Sequence, residues 1–410
     1  MDTQPEISKS GQREHTGPLS GVRILDLTTV VMGPYATMIL SNLGAHIIKL
    51  EPPSGDIMRH VGPMKNKLMG HSFINANHGK RSIVLDLKKP QARSVALKIA
   101  EHSDVFVHNI RPAALERLGL DYDSIAAVNP RIIFASAVGF GSGGRYSGKP
   151  AYDDLIQGIV GVPTLVHEGG GERPRYVPTP IADRSVGLYL SSMISAALYA
   201  REKSGHGQSV EVPMFEVLSQ YVLGDHLAGL SYDPAQGGPY YTRLISKNRH
   251  PYKTADGYIC ALIYNDAHWQ AFFRVISQPA MFFEDDRFSS QSSRADNIDF
   301  VYEFVARELA KKTTSEWLIL FEENDIPAMV MNTIESLIED PHLNDVGFFS
   351  MRQHPTEGLL RMMNPPETWS ATESFVGGFA PNLGQHTYEV LLEFGFSQQE
   401  IDNVTESPKD

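Results

Sequence analysis

The sequence predicts an α/β protein, with one large domain built on a parallel sheet and a smaller domain inserted in its second half. Three observations carry the expectation. Apolar strand-like runs alternate with helix-periodic segments from residue 21 to residue 136, the pattern of repeated βαβ units. A stretch rich in Gly, Pro and Tyr at 232–250 interrupts that pattern. Beyond it, a turn and an apolar strand at 254–263 lead into helices as far as residue 321. The expected organisation is a disordered tail at 1–18, a large domain from 19–231 and 328–410, a linker at 232–250 and a small domain at 251–327.

Taken in order, 21–27 reads as a buried strand, 34–42 as a helix and 46–51 as a second strand. A strand ending in Glu51 invites a dinucleotide site, but the first turn, 28–34, holds only Gly33 where a pyrophosphate-binding turn uses three glycines. NAD and FAD are set aside on that ground. The strand at 83–87, the helix at 90–102 and the strand at 104–108 extend the alternation, and the pair Lys80-Arg81 stands just before the first of these. That pair is either presented at the sheet edge by a turn or simply solvated. Asn109-Ile110-Arg111-Pro112 turns into a helix that ends at Gly119, and 131–136 is a further strand. Gly139-Phe-Gly-Ser-Gly-Gly144 matches G-x-G-x-x-G by letter, yet it runs on through Ser147, Gly148 and Pro150 without opening a helix, so it reads as a mobile loop beside a site.

Tyr152-Asp153-Asp154 starts a helix with acids in its first turn. Pro178 and Pro180 then impose an extended approach to a long helix, whose apolar positions Val186, Leu190, Met193, Ile194, Ala197 and Leu198 recur at helical spacing. Asp183 stands in the first turn of that helix. Two readings are open: a helix cap, or a nucleophile whose charged form, and hence a lowered pKa, is favoured by the positive helix end. A strand at 208–213 follows. Residues 328–339 are expected to return the chain to the first domain, 389–394 to form a last helix and the final residues to fray.

Composition narrows the function. With 410 residues, 42% of them hydrophobic, the chain can bury a large core. A net charge of −12 without a long basic run argues against nucleic-acid or anionic-membrane partners. An anionic ligand would need a local basic cluster, which screening over about 8 Å permits. The single cysteine, Cys260, excludes an intramolecular disulfide and, lying in an apolar run, is expected to be a buried core thiol. The fifteen histidines show no metal-ligand spacing, so no metal is expected. Residues 1–16 lack the apolar core of a secretory signal, and the cytoplasm is the expected compartment.

Several blocks, in this order, carry a family resemblance: Leu19-Ser-Gly-Val-Arg-Ile-Leu-Asp-Leu-Thr, Leu43-Gly-Ala-His-Ile-Ile-Lys-Leu-Glu, Gly79-Lys-Arg-Ser-Ile, Asn109-Ile-Arg-Pro, Leu115-Glu-Arg-Leu-Gly, Ala151-Tyr-Asp, Ser204-Gly-His-Gly-Gln and Asn382-Leu-Gly-Gln-His-Thr. The chain resembles the family III CoA transferases, the group that includes formyl-CoA transferase, crotonobetaine CoA transferase and α-methylacyl-CoA racemase. The resemblance implies a large Rossmann-like domain with a smaller α+β domain, an interlocked homodimer, and CoA or acyl-CoA as substrate with no permanently bound cofactor. It implies that Asp183 is the catalytic carboxylate and that CoA contacts fall on Val30, Asn77, His78, Gly79, Lys80, Asn109, Ile110, Arg111, Arg117 and Tyr152.

It further implies that CoA moves between a thioester and a free carboxylic acid, through an aspartyl mixed anhydride and an aspartyl-CoA thioester. Backbone amides near the carbonyl and the 139–144 loop over the anhydride would support that chemistry. Two alternatives stand beside it. A 2-methylacyl-CoA racemase needs a second acid/base group, and the racemases carry His where this chain has Tyr152, a poor base at neutral pH. A catalytically dead CoA-binding protein is the other. The region before the small domain lacks the glycine-rich lid of formyl-CoA transferase, and Val31 replaces its Gln, which disfavours formate and oxalate as substrates. Arg243, Lys247, Asn248, Arg249 and His250 are either partners for a substrate carboxylate or a solvated linker.

Overall fold

The structure is a computed structural model and describes residues 17–374 and 376–405. The tail expected over 1–18 lies, up to residue 16, outside the described residues, as do the last five residues expected to fray. Six strands, β1 (Arg23–Asp26), β2 (His46–Glu51), β3 (Lys80–Val84), β4 (Val105–His108), β5 (Ile133–Val138) and β6 (Gln208–Pro213), form a sheet in the order β3-β2-β1-β4-β5-β6. Every neighbouring pair is parallel. The chain therefore winds outward in one direction from β1 through β2 and β3, and in the other from β4 through β6. The crevice at the carboxyl ends of β1 and β4, where the winding reverses, is where such sheets bind ligands.

Alternation along β1 sorts the two faces. Leu25 and Leu27 join Ile48, Ile83, Phe106 and Phe134 against Ala92, Val95 and Ile99 of the helix Pro90–Glu101, and against Val390, Leu391, Ile401 and Val404 of the two last helices. Asp26 points the other way, and the Thr37 hydroxyl of the helix Met32–Asn42 donates to it at 2.6 Å. That helix packs in turn on the 24-residue helix Ile181–Ser204. A Cβ on Gly187 would come within 2.7 Å of the Met32 carbonyl oxygen, so only glycine allows this approach. The outer edge of β3 is covered from far along the chain. The Thr387 hydroxyl accepts from the Val84 amide at 3.0 Å, and the His386 amide donates to the Ser82 carbonyl at 2.9 Å. This covering protects a row of edge groups that would otherwise pair with a foreign strand.

The large unit buries a chain of charges. Glu51 accepts from the Arg59 guanidinium at 2.7 Å through both oxygens, Lys49 pairs with Asp56 at 3.0 Å, and Lys80 with Asp26 at 3.3 Å. The expectation that Lys80-Arg81 stands in a turn or in solvent is corrected here. The pair opens β3, so the two side chains go to opposite faces: Lys80 is buried beside Asp26, and Arg81 reaches Glu393 at 2.6 Å.

Cα packing divides the chain into two units, one of which takes the described residues up to Ile156, then Thr179–Ser219 and those from His342 onward. It also holds the antiparallel hairpin β10 (Phe349–His354) and β11 (Gly358–Met363). The other comprises Gln157–Pro178 and Gln220–Pro341. In it, β7 (Tyr252–Lys253), β8 (Tyr258–Ala261) and β9 (Ala328–Val330) form an antiparallel sheet beside helices whose core is aromatic: Trp269, Phe272, Phe273, Phe288, Phe304, Trp317 and Phe321. Two expectations change. Residues 328–330 do not return to the large domain but complete this small sheet through β8. Cys260 is exposed, because β8 has one covered face and alternation buries Ile259 while turning its neighbour outward.

Candidate active site

A cavity of about 350 Å³ opens at the carboxyl ends of β1, β4 and β5. Thr29 and Val30 come from the turn after β1, Asn109, Ile110 and Arg111 from the turn after β4, and Gly139 and Phe140 from the loop after β5. Residues 147–152, Asp183, Glu211 and Met214 complete the wall. All belong to the large unit.

The first two turns are locked together. The Thr29 amide donates to Asn109 Oδ1 at 3.0 Å, and Asn109 Nδ2 donates back to the Thr29 carbonyl at 2.8 Å. Val30 adopts φ +72°, a left-handed conformation that a β-branched residue enters only under constraint. The constraint comes from the buried charges behind it. Asp56 Oδ1 accepts from the Val30 amide at 3.2 Å, and Lys49, which pairs with Asp56, donates to the Thr28 carbonyl at 2.7 Å. The third turn is held by two carboxylates: Glu216 accepts from the Gly141 amide at 3.0 Å and Glu211 from the Ser142 amide at 2.9 Å. A Cβ on Gly139 would lie 2.3 Å from that of Ala151, so glycine there lets the loop close on residues 151–152.

Asp183 is 8% exposed, in the first turn of the helix Ile181–Ser204. It is not the cap: Pro180 holds that position, and the amide of Asp183 itself is satisfied by Asp153 Oδ1 at 3.0 Å. Its carboxylate accepts no hydrogen bond from the described residues. The lowered pKa expected from the helix end is corrected. Burial pushes the carboxyl up to about 7, the charge of Asp153 adds to the rise, and Arg184 opposes it. Desolvation and a like charge outweigh a helix terminus whose nearest amide is already paired.

The cavity thus gathers Val30, Asn109, Ile110, Arg111, Tyr152 and Asp183 from the expected site residues. It does not gather Asn77, His78, Gly79, Lys80 or Arg117. Lys80 is fully enclosed, with Nζ donating to Asn77 Oδ1 at 2.9 Å, Thr37 Oγ1 at 2.7 Å and the Pro34 carbonyl at 2.9 Å. Burial pulls its pKa down to about 7 although Asp26 raises it. His78 is buried against Asn42 at 3.1 Å, and Gly79 accepts from Ser41. Arg117 is exposed, on the helix Pro112–Leu118. Glu211, Lys149 and Met214 line the cavity without having been singled out. Glu211 sits in a strand of alternating polarity that reads as a solvated edge, and Lys149 in a glycine-rich loop, so neither carries a local signal. Among the described residues no group of three or more His, Cys, Asp or Glu side chains is placed to hold a metal. No helix among them is long and apolar enough to cross a membrane.

Residues 19–387 match the model of CoA-transferase family III. The chain is 30% identical over 386 residues to succinate–glutarate CoA-transferase of Agrobacterium fabrum, covering 92% of this chain and 95% of that one. It is 33% identical over 322 residues to acetyl-CoA:oxalate CoA-transferase of Acetobacter aceti, covering 76% and 80%. The crystal structure of a CAIB/BAIF family protein from Brucella suis superposes with a TM-score of 0.78 at 26% identity, covering 92% and 100%. A parallel sheet with its cavity at the winding reversal, and a match running almost from end to end, lead to one conclusion: this chain belongs to CoA-transferase family III.

Proposed function

We propose that the protein moves CoA between an acyl-CoA thioester and a free carboxylic acid, with Asp183 as the nucleophile. The observation that carries this is a carboxylate at the wall of a ligand-sized cavity with its lone pairs uncommitted. Ionised Asp183 attacks the thioester carbonyl, the C–S bond breaks, and CoA thiolate leaves an acyl-aspartyl anhydride. The thiolate then attacks Cγ of the aspartyl group, releases the donor acid and leaves an aspartyl-CoA thioester. The acceptor carboxylate attacks that thioester, and the returning thiolate takes the new acyl group and frees Asp183. Each step exchanges one acyl bond for another, so neither water nor an external base is consumed.

Val30, Asn109, Ile110, Arg111 and Tyr152 are the proposed CoA contacts. Arg111 and Lys149, both on the cavity wall, suit its phosphates, at roughly 1.5–3 kcal/mol for each charge-assisted hydrogen bond. Asn77, His78 and Lys80 act from behind as supports, since their polar groups are taken up inside the fold. Relatives named for succinate, glutarate and oxalate support dicarboxylic acids as the first substrates to try. Mass analysis after mixing with succinyl-CoA and glutarate should find glutaryl-CoA. Asp183→Ala should abolish it while CoA still binds, and turnover retained in that variant would overturn the assignment. Interlocked homodimers are proposed from the family resemblance, and a monomer in sedimentation would remove them.

A further inference from the structure

The smaller unit holds a cavity of its own, of about 470 Å³. Its polar lining is Arg243, Arg249, His250, Tyr252, Tyr302 and Cys260, and its apolar lining includes Leu262 and Met329. Neither arginine has an acidic partner among the described residues. Tyr252 is 6% exposed, its hydroxyl has no hydrogen-bond partner among the described residues, and it lines both this cavity and an adjoining one. Burial pushes the Tyr252 phenol up, so at neutral pH it is a donor. Two guanidiniums without an acidic partner and a phenol with an unengaged hydroxyl, lining one cavity, offer charge-assisted hydrogen bonds to an acceptor with negative charge.

We propose that this cavity binds a small organic carboxylate with a short apolar body. The Arg243 fork and the Tyr252 hydroxyl meet the two carboxylate oxygens, and Leu262, Pro327, Ala328 and Met329 receive the hydrocarbon. The apolar side chains on the wall favour an anion that carries hydrocarbon over a bare phosphate, which would leave them uncovered.

The chain carries its own reporter, because Cys260, its only cysteine, is exposed and lies on this wall. Full-length protein is treated with iodoacetamide, which is uncharged, and the alkylated fraction is followed by intact mass. Hexanoate should slow alkylation in a saturable way, and hexanol at equal concentration should not. Arg243→Gln should raise the hexanoate needed by about tenfold or more, the loss of one charge-assisted hydrogen bond. Arg249→Gln, at an exposed position, should act in the same direction. Asp183→Ala should protect as the parent does, which separates this proposal from the transfer mechanism. Equal protection by hexanol, no protection by hexanoate, or a thiol that does not react at all would each overturn it.

Discussion

Asp183 shows how one carboxyl is tuned by a residue distant in sequence. Its acidity is set by its burial and by Asp153, thirty positions away, whose oxygen also holds the Asp183 amide. The nucleophile must be ionised, so transfer should fall as pH drops through about 7. Asp153→Asn keeps an acceptor for the amide but removes the charge that raises Asp183. The acid limb of kcat/KM should therefore move to lower pH, by up to about one unit, the shift expected from a neighbouring like charge. A limb that stays in place would remove Asp153 from this role. The sequence showed that an acid stands at the start of a helix, and periodicity alone located it. The direction of its pKa was not legible, because nothing near residue 183 announces the second carboxylate. Lys80 differs from expectation for a related reason: a Lys-Arg doublet looks like surface, and only the sheet order, which sets β1 and its Asp26 one strand beyond β2, makes a buried ion pair.

At the scale of elements, the site depends on how closely two helices approach. Gly187 of Ile181–Ser204 sits against the Met32 carbonyl and the Tyr35 ring, at 2.7 and 3.1 Å from where a Cβ would be. Gly187→Ala must push Met32–Asn42 away, at a cost of about 1–3 kcal/mol for an overpacked contact. The same shift carries the turn of Thr29 and Val30 out of line with Asp183. Denaturant titration should show the lower stability, and KM for acyl-CoA should rise with it. Unchanged values of both would mean that the helices adjust freely. The parallel strands were legible because short β-branched and aromatic runs such as Ile47-Ile48 and Val105-Phe106-Val107 alternate with helix-periodic segments, although the buried charges of Lys49 and Glu51 interrupt the apolar pattern. The pairing of 328–330 was not. A three-residue strand takes its place from its neighbour β8, and no pattern in so short a run records that neighbour.

For the molecule as a whole, the covering of β3 by residues 384–387 ties the sheet to a segment 303 positions further along, as from Val84 to Thr387. Truncation before residue 382 removes that cover together with Val390, Leu391, Ile401 and Val404 from the core. Burying such side chains is worth about 1.5–3 kcal/mol each, so the loss approaches the whole stability of an ordinary domain. The truncated chain should accumulate in inclusion bodies, and a soluble, cooperatively melting product would contradict this. The same tie orders events during synthesis. Strands β1 to β5 leave the ribosome long before their cover exists, so the nascent polypeptide must wait, with one flank of its sheet unguarded, until residues 384–387 have been made.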